Sequence, residues 1–128
     1  MSKNAKSVAD AIRTKAGDAP VSVGLILGSG LAHIADEVDG VAIPYADLDG
    51  FPQAGVSGHK ASLTVGDLDG VRVAVFGGRS HYYESGKGDA MRHPLEVLKE
   101  LGADTLVATN AAGAMHQEMP TGSIMALS

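Results

Sequence analysis

Three short segments carry residue types suited to chemistry: Gly28-Ser29-Gly30-Leu31, then Gly77-Gly78-Arg79-Ser80-His81-Tyr82-Tyr83-Glu84, then Asn110-Ala111-Ala112-Gly113. Each follows an apolar run of strand length. Each also sets small residues, which let a ligand approach the backbone, beside at least one polar side chain. Arg79 offers a planar fork of donors that matches phosphate oxygens, and His81 can add a further donor. An Arg, a His and two Tyr after paired glycines make a poor core and a good anion site. The other two segments, read singly, are equally a tight turn and a helix-capping turn. The Arg79–Tyr83 stretch is what tilts all three toward anion binding.

Several other chemistries are poorly served. A dinucleotide fingerprint needs Gly or Ala at position 33, which is His33, and no Gly-Lys-Ser/Thr follows to make a Walker loop. The histidines at 33, 59, 81, 93 and 116 form no close pair at ligand spacing, and the chain has no cysteine, so no metal is expected. His93, beside Pro94, and His116, in a polar stretch, read as solvated side chains. Asp36, Glu37 and Asp39 read as a charged helix face and not as a catalytic carboxylate cluster.

The elements that must position these segments follow from periodicity. Ala5, Val8, Ala11, Ile12 and Ala16 recur at helical spacing ahead of Gly17. The run 21–27 reads as a buried strand, 31–38 as a short helix and 41–45 as a short strand before a polar, Pro- and Gly-rich loop through Gly58. Asp67-Leu68-Asp69-Gly70 between 62–66 and 71–76 is a hairpin signal. Met91, Leu95, Leu98 and Leu101 share one face of a helix over 89–101, with Pro94 tolerable only in its first turn. The run 105–109 reads as another buried strand and 123–127 as a last one. Strands mixed with crossover helices predict an α/β fold, a mixed β-sheet flanked by helices, in a single domain over 1–128.

Composition sets the remaining bounds. With 45% hydrophobic and 20% charged residues, the chain is an ordinary globular one and not disordered. Aromatics are only 4%, so the core is expected to be Val, Leu, Ile and Ala. A net charge of -5 with no Lys/Arg block argues against a nucleic-acid groove or a polybasic membrane patch. The start lacks the apolar stretch of a secretory signal and no run is long enough to span a bilayer, so a cytoplasmic protein is expected.

Taken together, the motifs resemble the trimeric class of purine nucleoside phosphorylases. The resemblance rests on Leu27-Gly28-Ser29-Gly30-Leu31, Gly58-His59 with Leu63 following, Gly78-Arg79-Ser80-His81-Tyr82-Tyr83-Glu84, and Thr109-Asn110-Ala111-Ala112-Gly113, in the family's order. It implies that Ser29, Arg79 and the Ala111 backbone N–H bind phosphate. His81 lies close by as the candidate catalytic side chain, while Tyr83 and His59 contact the ribose. The implied reaction is attack of inorganic phosphate, the co-substrate, on the anomeric carbon of a purine nucleoside. No other cofactor is implied, and the family association points to a homotrimer.

The chain also departs from the pattern. Gly122-Ser123-Ile124-Met125 stands where the family usually reads Gly-Asp-Ile-Met, and the turn at 84–88 looks longer than the usual Glu-Gly. The purine-holding residues, a second phosphate-binding Ser and a His near the ribose 5′-hydroxyl lie, in the family, beyond this strand. The expectation is therefore the front portion of such an enzyme, carrying a phosphate and ribose half-site. A phosphate- or sugar-phosphate-binding fragment without turnover is the alternative.

Overall fold

The computed structural model describes residues 4–28, 31–52, 61–77, 91–110 and 113–127. Helix α1 spans Ala5–Ala16. Its Asn4 cap accepts a 2.9 Å hydrogen bond from the Lys6 N–H, satisfying a donor that the helix itself leaves free. It ends where expected, the Gly17 N–H reaching the Arg13 carbonyl at 2.8 Å. Val8, Ala9 and Ile12 form its buried face.

Five strands follow: β1 (Val23–Ile26), β2 (Asp39–Pro44), β3 (Ser62–Leu68), β4 (Val71–Phe76) and β5 (Thr105–Ala108). Helix α2, Arg92–Glu100, lies between β4 and β5, with Pro94 in its first turn as the sequence requires. The sheet order is β2-β3-β4-β1-β5. β2, β3 and β4 are antiparallel neighbours, whereas β1 runs parallel to both β4 and β5. The expected mixed sheet with flanking helices is thus present.

The β3–β4 hairpin closes as its Asp-Gly pair demands. Asp69 and Gly70 both have positive φ, 51° and 83°, which is the turn whose twist matches paired strands. The helix at 31–38 is a 3-10 turn, Ala32–Glu37.

One face of the sheet packs α1 and α2 over Ile26, Leu63, Val65, Ala74 and Phe76. Leu98 of α2 sits directly on β1, where a Cβ on Gly24 would lie 2.3 Å from its Cδ2. Arg13 ties the helices together, donating to the Glu100 carbonyl. The other face is a smaller cluster of Val38, Val73 and Val75 with Val23, Leu25 and Leu27 against it.

Four expectations are corrected. The core is not purely aliphatic: Tyr45, Phe51 and Phe76 are buried, with Tyr45 edge-on to Phe51 and Phe51 stacked on Phe76. Consequently the stretch after Pro44 does not begin as a solvated loop. A 3-10 turn at Tyr45–Asp47 aims Tyr45, Leu48 and Phe51 into the core. β5 is not buried but is an edge strand with Leu106 42% and Val107 44% exposed, because no element among the described residues pairs beyond it. Residues 123–127 form no strand and are exposed, Ile124 at 97%.

Candidate functional site at the carboxyl ends of three parallel strands

The strand order decides where the three segments emerge. In register, Ile26 pairs with Phe76 on one side and with Ala108 on the other. The chain therefore leaves β1, β4 and β5 at the same end of the sheet and at the same level. Neighbouring strands lie about 4.8 Å apart, so the outer two exits are roughly 10 Å from each other. The chain lays β4 on one side of β1, then crosses through α2 to lay β5 on the other. Such a reversal of strand order around a parallel strand opens a crevice at the carboxyl ends, where open α/β sheets bind ligands.

Ser29, His59, Arg79, His81, Tyr83 and Ala111 lie outside the described residues. The structure instead places the residues from which those segments leave the sheet. Gly28 and Thr109, which follow adjacent strands, are bonded to each other. The Thr109 N–H donates to the Ile26 carbonyl at 2.9 Å. The Thr109 hydroxyl accepts from the Gly28 N–H at 2.8 Å and donates to the Ile26 carbonyl at 3.1 Å. One side chain thus satisfies two backbone groups of the neighbouring strand end. The two backbones are also in close contact, since a Cβ on Gly28 would lie 2.9 Å from the Asn110 Cα and 3.0 Å from the Thr109 carbonyl oxygen. On the far side, the Gly77 N–H donates to the Ser62 carbonyl at 2.9 Å, fixing the exit of β4 against β3.

Two side chains were not assigned these contacts from sequence. Thr109 was read as the end of a strand and the first residue of the Thr109–Gly113 motif, with no role for its hydroxyl, although a hydroxyl closing an apolar run ahead of Asn110 is the available signal. His93 is only partly solvated. It is half-buried, its Nε2 lies 2.9 Å from the Asp49 carbonyl and its ring meets Phe51 edge-on. It therefore joins the start of α2 to the segment ending at Pro52. His116 is exposed, as expected. Among the described residues, no group of three His, Asp or Glu side chains could hold a metal ion, and no helix is long and apolar enough to cross a membrane.

A mixed sheet whose parallel strands β1, β4 and β5 lead into Gly28, Gly77 and Thr109 at one end defines an α/β protein. The model of the phosphorylase superfamily matches residues 22–128, and the chain belongs to that superfamily. Its similarity is to purine nucleoside phosphorylases. It is 44% identical over 107 residues to purine nucleoside phosphorylase 1 of Geobacillus stearothermophilus, covering 83% of this chain and 39% of the relative. Identity to the Bacillus subtilis (strain 168) purine nucleoside phosphorylase 1 is 42% over 104 residues, covering 80% of this chain and 38% of the relative.

Solved structures agree. Isoform 2 of the Schistosoma mansoni enzyme, in complex with cytosine and ribose-1-phosphate, superposes with a TM-score of 0.81 at 33% identity, covering 91% of this chain and 41% of that one. A purine nucleoside phosphorylase in complex with ribose-1-phosphate gives 0.81 at 40% identity, covering 91% and 43%. The chain spans about two fifths of the length of the curated relatives it matches.

Proposed function

We propose that this chain supplies the phosphate- and ribose-contacting part of a purine nucleoside phosphorylase. The observation that carries the reading is the placement of β1 between β4 and β5, all parallel, which brings three motif-bearing exits to one end of the sheet. Ser29, Arg79 and the Ala111 N–H would hold inorganic phosphate, with His81 beside them, and His59 and Tyr83 would face the ribose. Phosphate attacks the anomeric carbon, the bond to the purine nitrogen breaks, and the products are free base and ribose 1-phosphate or its deoxy form.

The transition state has oxocarbenium character, so an anion fixed beside the sugar lowers the barrier through both orientation and charge. Donors pre-arranged on a rigid sheet do this without reorganising during the reaction. A cytoplasmic location and a homotrimeric assembly belong to the same reading.

Phosphate titration of the chain and of Arg79→Ala tests it. Hydrogen bonds to charged groups contribute about 1.5–3 kcal/mol each, so Arg79→Ala should weaken binding at least tenfold. Arg79→Lys should also lose affinity, because a point charge cannot reproduce the fork. Equal affinity in wild type and Arg79→Ala would refute the placement. Phosphate-dependent release of hypoxanthine from inosine separates catalysis from binding without turnover.

A further inference from the structure

We infer that Thr109 is a positioning residue, whose hydroxyl locks the Gly28 and Asn110 exits into the one relative geometry that a shared phosphate site needs; this rests on the phosphate reading above. The hydroxyl has a single hydrogen and uses it on the Ile26 carbonyl, 3.1 Å away, so its lone pairs are left to receive the Gly28 N–H at 2.8 Å. That polarity is fixed, because a carbonyl can only accept and an amide N–H can only donate. The side chain therefore engages both a donor and an acceptor on the facing edge of the neighbouring strand end.

The location matters as much as the bonding. β1 stops at Ile26 and β5 at Ala108; past them the Thr109 N–H still reaches the Ile26 carbonyl, but the Gly28 N–H is received by a side chain, the Thr109 hydroxyl. The Thr109 side chain extends the bonding of the sheet past the ladder. It does so one residue before Ser29 and two residues before Ala111, on the two segments whose small residues and donors suggested an anion site. Glycine at 28 is what permits this approach, since the space for a Cβ is taken by the backbone of Thr109 and Asn110. A donor misplaced by a fraction of an ångström loses much of its hydrogen bond, so a site shared by two segments depends on whatever fixes their separation.

The test compares Thr109→Val and Thr109→Ser in ¹⁵N-labelled protein titrated with inorganic phosphate. Valine keeps the branched shape but removes both hydrogen bonds; serine keeps the hydroxyl. In the wild type, the Gly28 and Asn110 amide resonances should move on phosphate addition with one common Kd. Thr109→Val should weaken phosphate at least tenfold and speed amide exchange at Gly28, while amides within Val23–Ile26 keep their protection. Thr109→Ser should restore the affinity to within about threefold of wild type, an amount well inside one tenfold step of 1.4 kcal/mol.

Should Thr109→Val fail to fold, Thr109→Ser decides the matter alone through the common Kd of the two amides. Two unrelated Kd values, or loss of binding in that folded variant, would overturn the inference. Wild-type affinity in folded Thr109→Val would overturn it while leaving the phosphate reading intact. No phosphate-dependent shift in the wild type would overturn the phosphate reading, and the inference with it.

Discussion

Replacing Gly28 by alanine adds one methyl group where two strand exits of the candidate site are in backbone contact. The new Cβ would stand 2.9 Å from the Asn110 Cα, 3.0 Å from the Thr109 carbonyl oxygen and 3.3 Å from the Asn110 nitrogen. All three are backbone atoms, and the Thr109 N–H is held on the Ile26 carbonyl, so no side chain can swing aside to make room. Relief requires the two exits to part by several tenths of an ångström. Inserting a methyl group into filled space costs about 1–3 kcal/mol. In a chain of this size that lowers the Tm by roughly 4–12 °C. Phosphate affinity should fall at least tenfold for the same reason. Gly70→Ala is the matched control, because its Cβ would meet nothing within 4 Å and its only penalty is the φ of 83°. A left-handed conformation costs a non-glycine residue about 1–2 kcal/mol. Gly70 precedes β4 and so lies at the end of the sheet remote from the exits; its replacement should lower Tm yet leave phosphate binding unchanged. Thermal unfolding by circular dichroism and phosphate calorimetry read the two effects separately. A Gly28→Ala protein with wild-type Tm and wild-type affinity would refute the packing argument.

Arg72→Met should lower stability by about 1–2 kcal/mol, since hydrogen bonds to charged groups are strong but these are partly open to solvent. The lost donors reach the Ala16 carbonyl at 2.7 Å, the Ala19 carbonyl at 2.9 Å and the Gly17 carbonyl at 3.3 Å, and together they fasten the end of α1 to β4. Urea unfolding with an unchanged midpoint would count against that role. The outer edge of β5, with its exposed Leu106 and Val107, should cause the 128-residue chain to self-associate at micromolar concentration. Leu106→Lys should shift it toward monomer in sedimentation velocity, and a wild-type chain that sediments as a monomer would contradict the prediction.

What could be read from sequence was whatever depends on near neighbours. The Asn4 cap of helix α1 was not among the residues singled out from the sequence, whereas the helix announces its far end at Gly17. The Asp69-Gly70 turn does the same, because only residues tolerant of positive φ fit it. What could not be read was whether an apolar run has a partner. Residues 105–108 and 123–127 look equally strand-like, yet only the first pairs with a neighbour. At the second, the Ser123 N–H and hydroxyl both return to the Pro120 carbonyl, at 3.1 and 2.7 Å, a local turn that competes with extension. The polarity of the segment after Pro44 likewise concealed Tyr45, Leu48 and Phe51, spaced three apart and turned inward together.

The candidate site shows the same division at a larger scale. Its residue types point to an anion without any structure, since Arg79 and His81 after paired glycines have few other uses at a strand end. That β1, β4 and β5 end side by side is a property of topology. Had β1 lain at the sheet edge, the Gly28 and Asn110 segments would have emerged apart, with identical residues and no common ligand. The crossover through α2 to the far side of β1 is what makes them neighbours, and nothing within either motif specifies it. Leu98 packed on Gly24 helps to hold that arrangement, because a Cβ at position 24 would force the Leu98 side chain out of its present place against β1. A glycine in the middle of a strand, four residues before Gly28 and unremarkable in sequence, thus contributes to placing the exits of the candidate site.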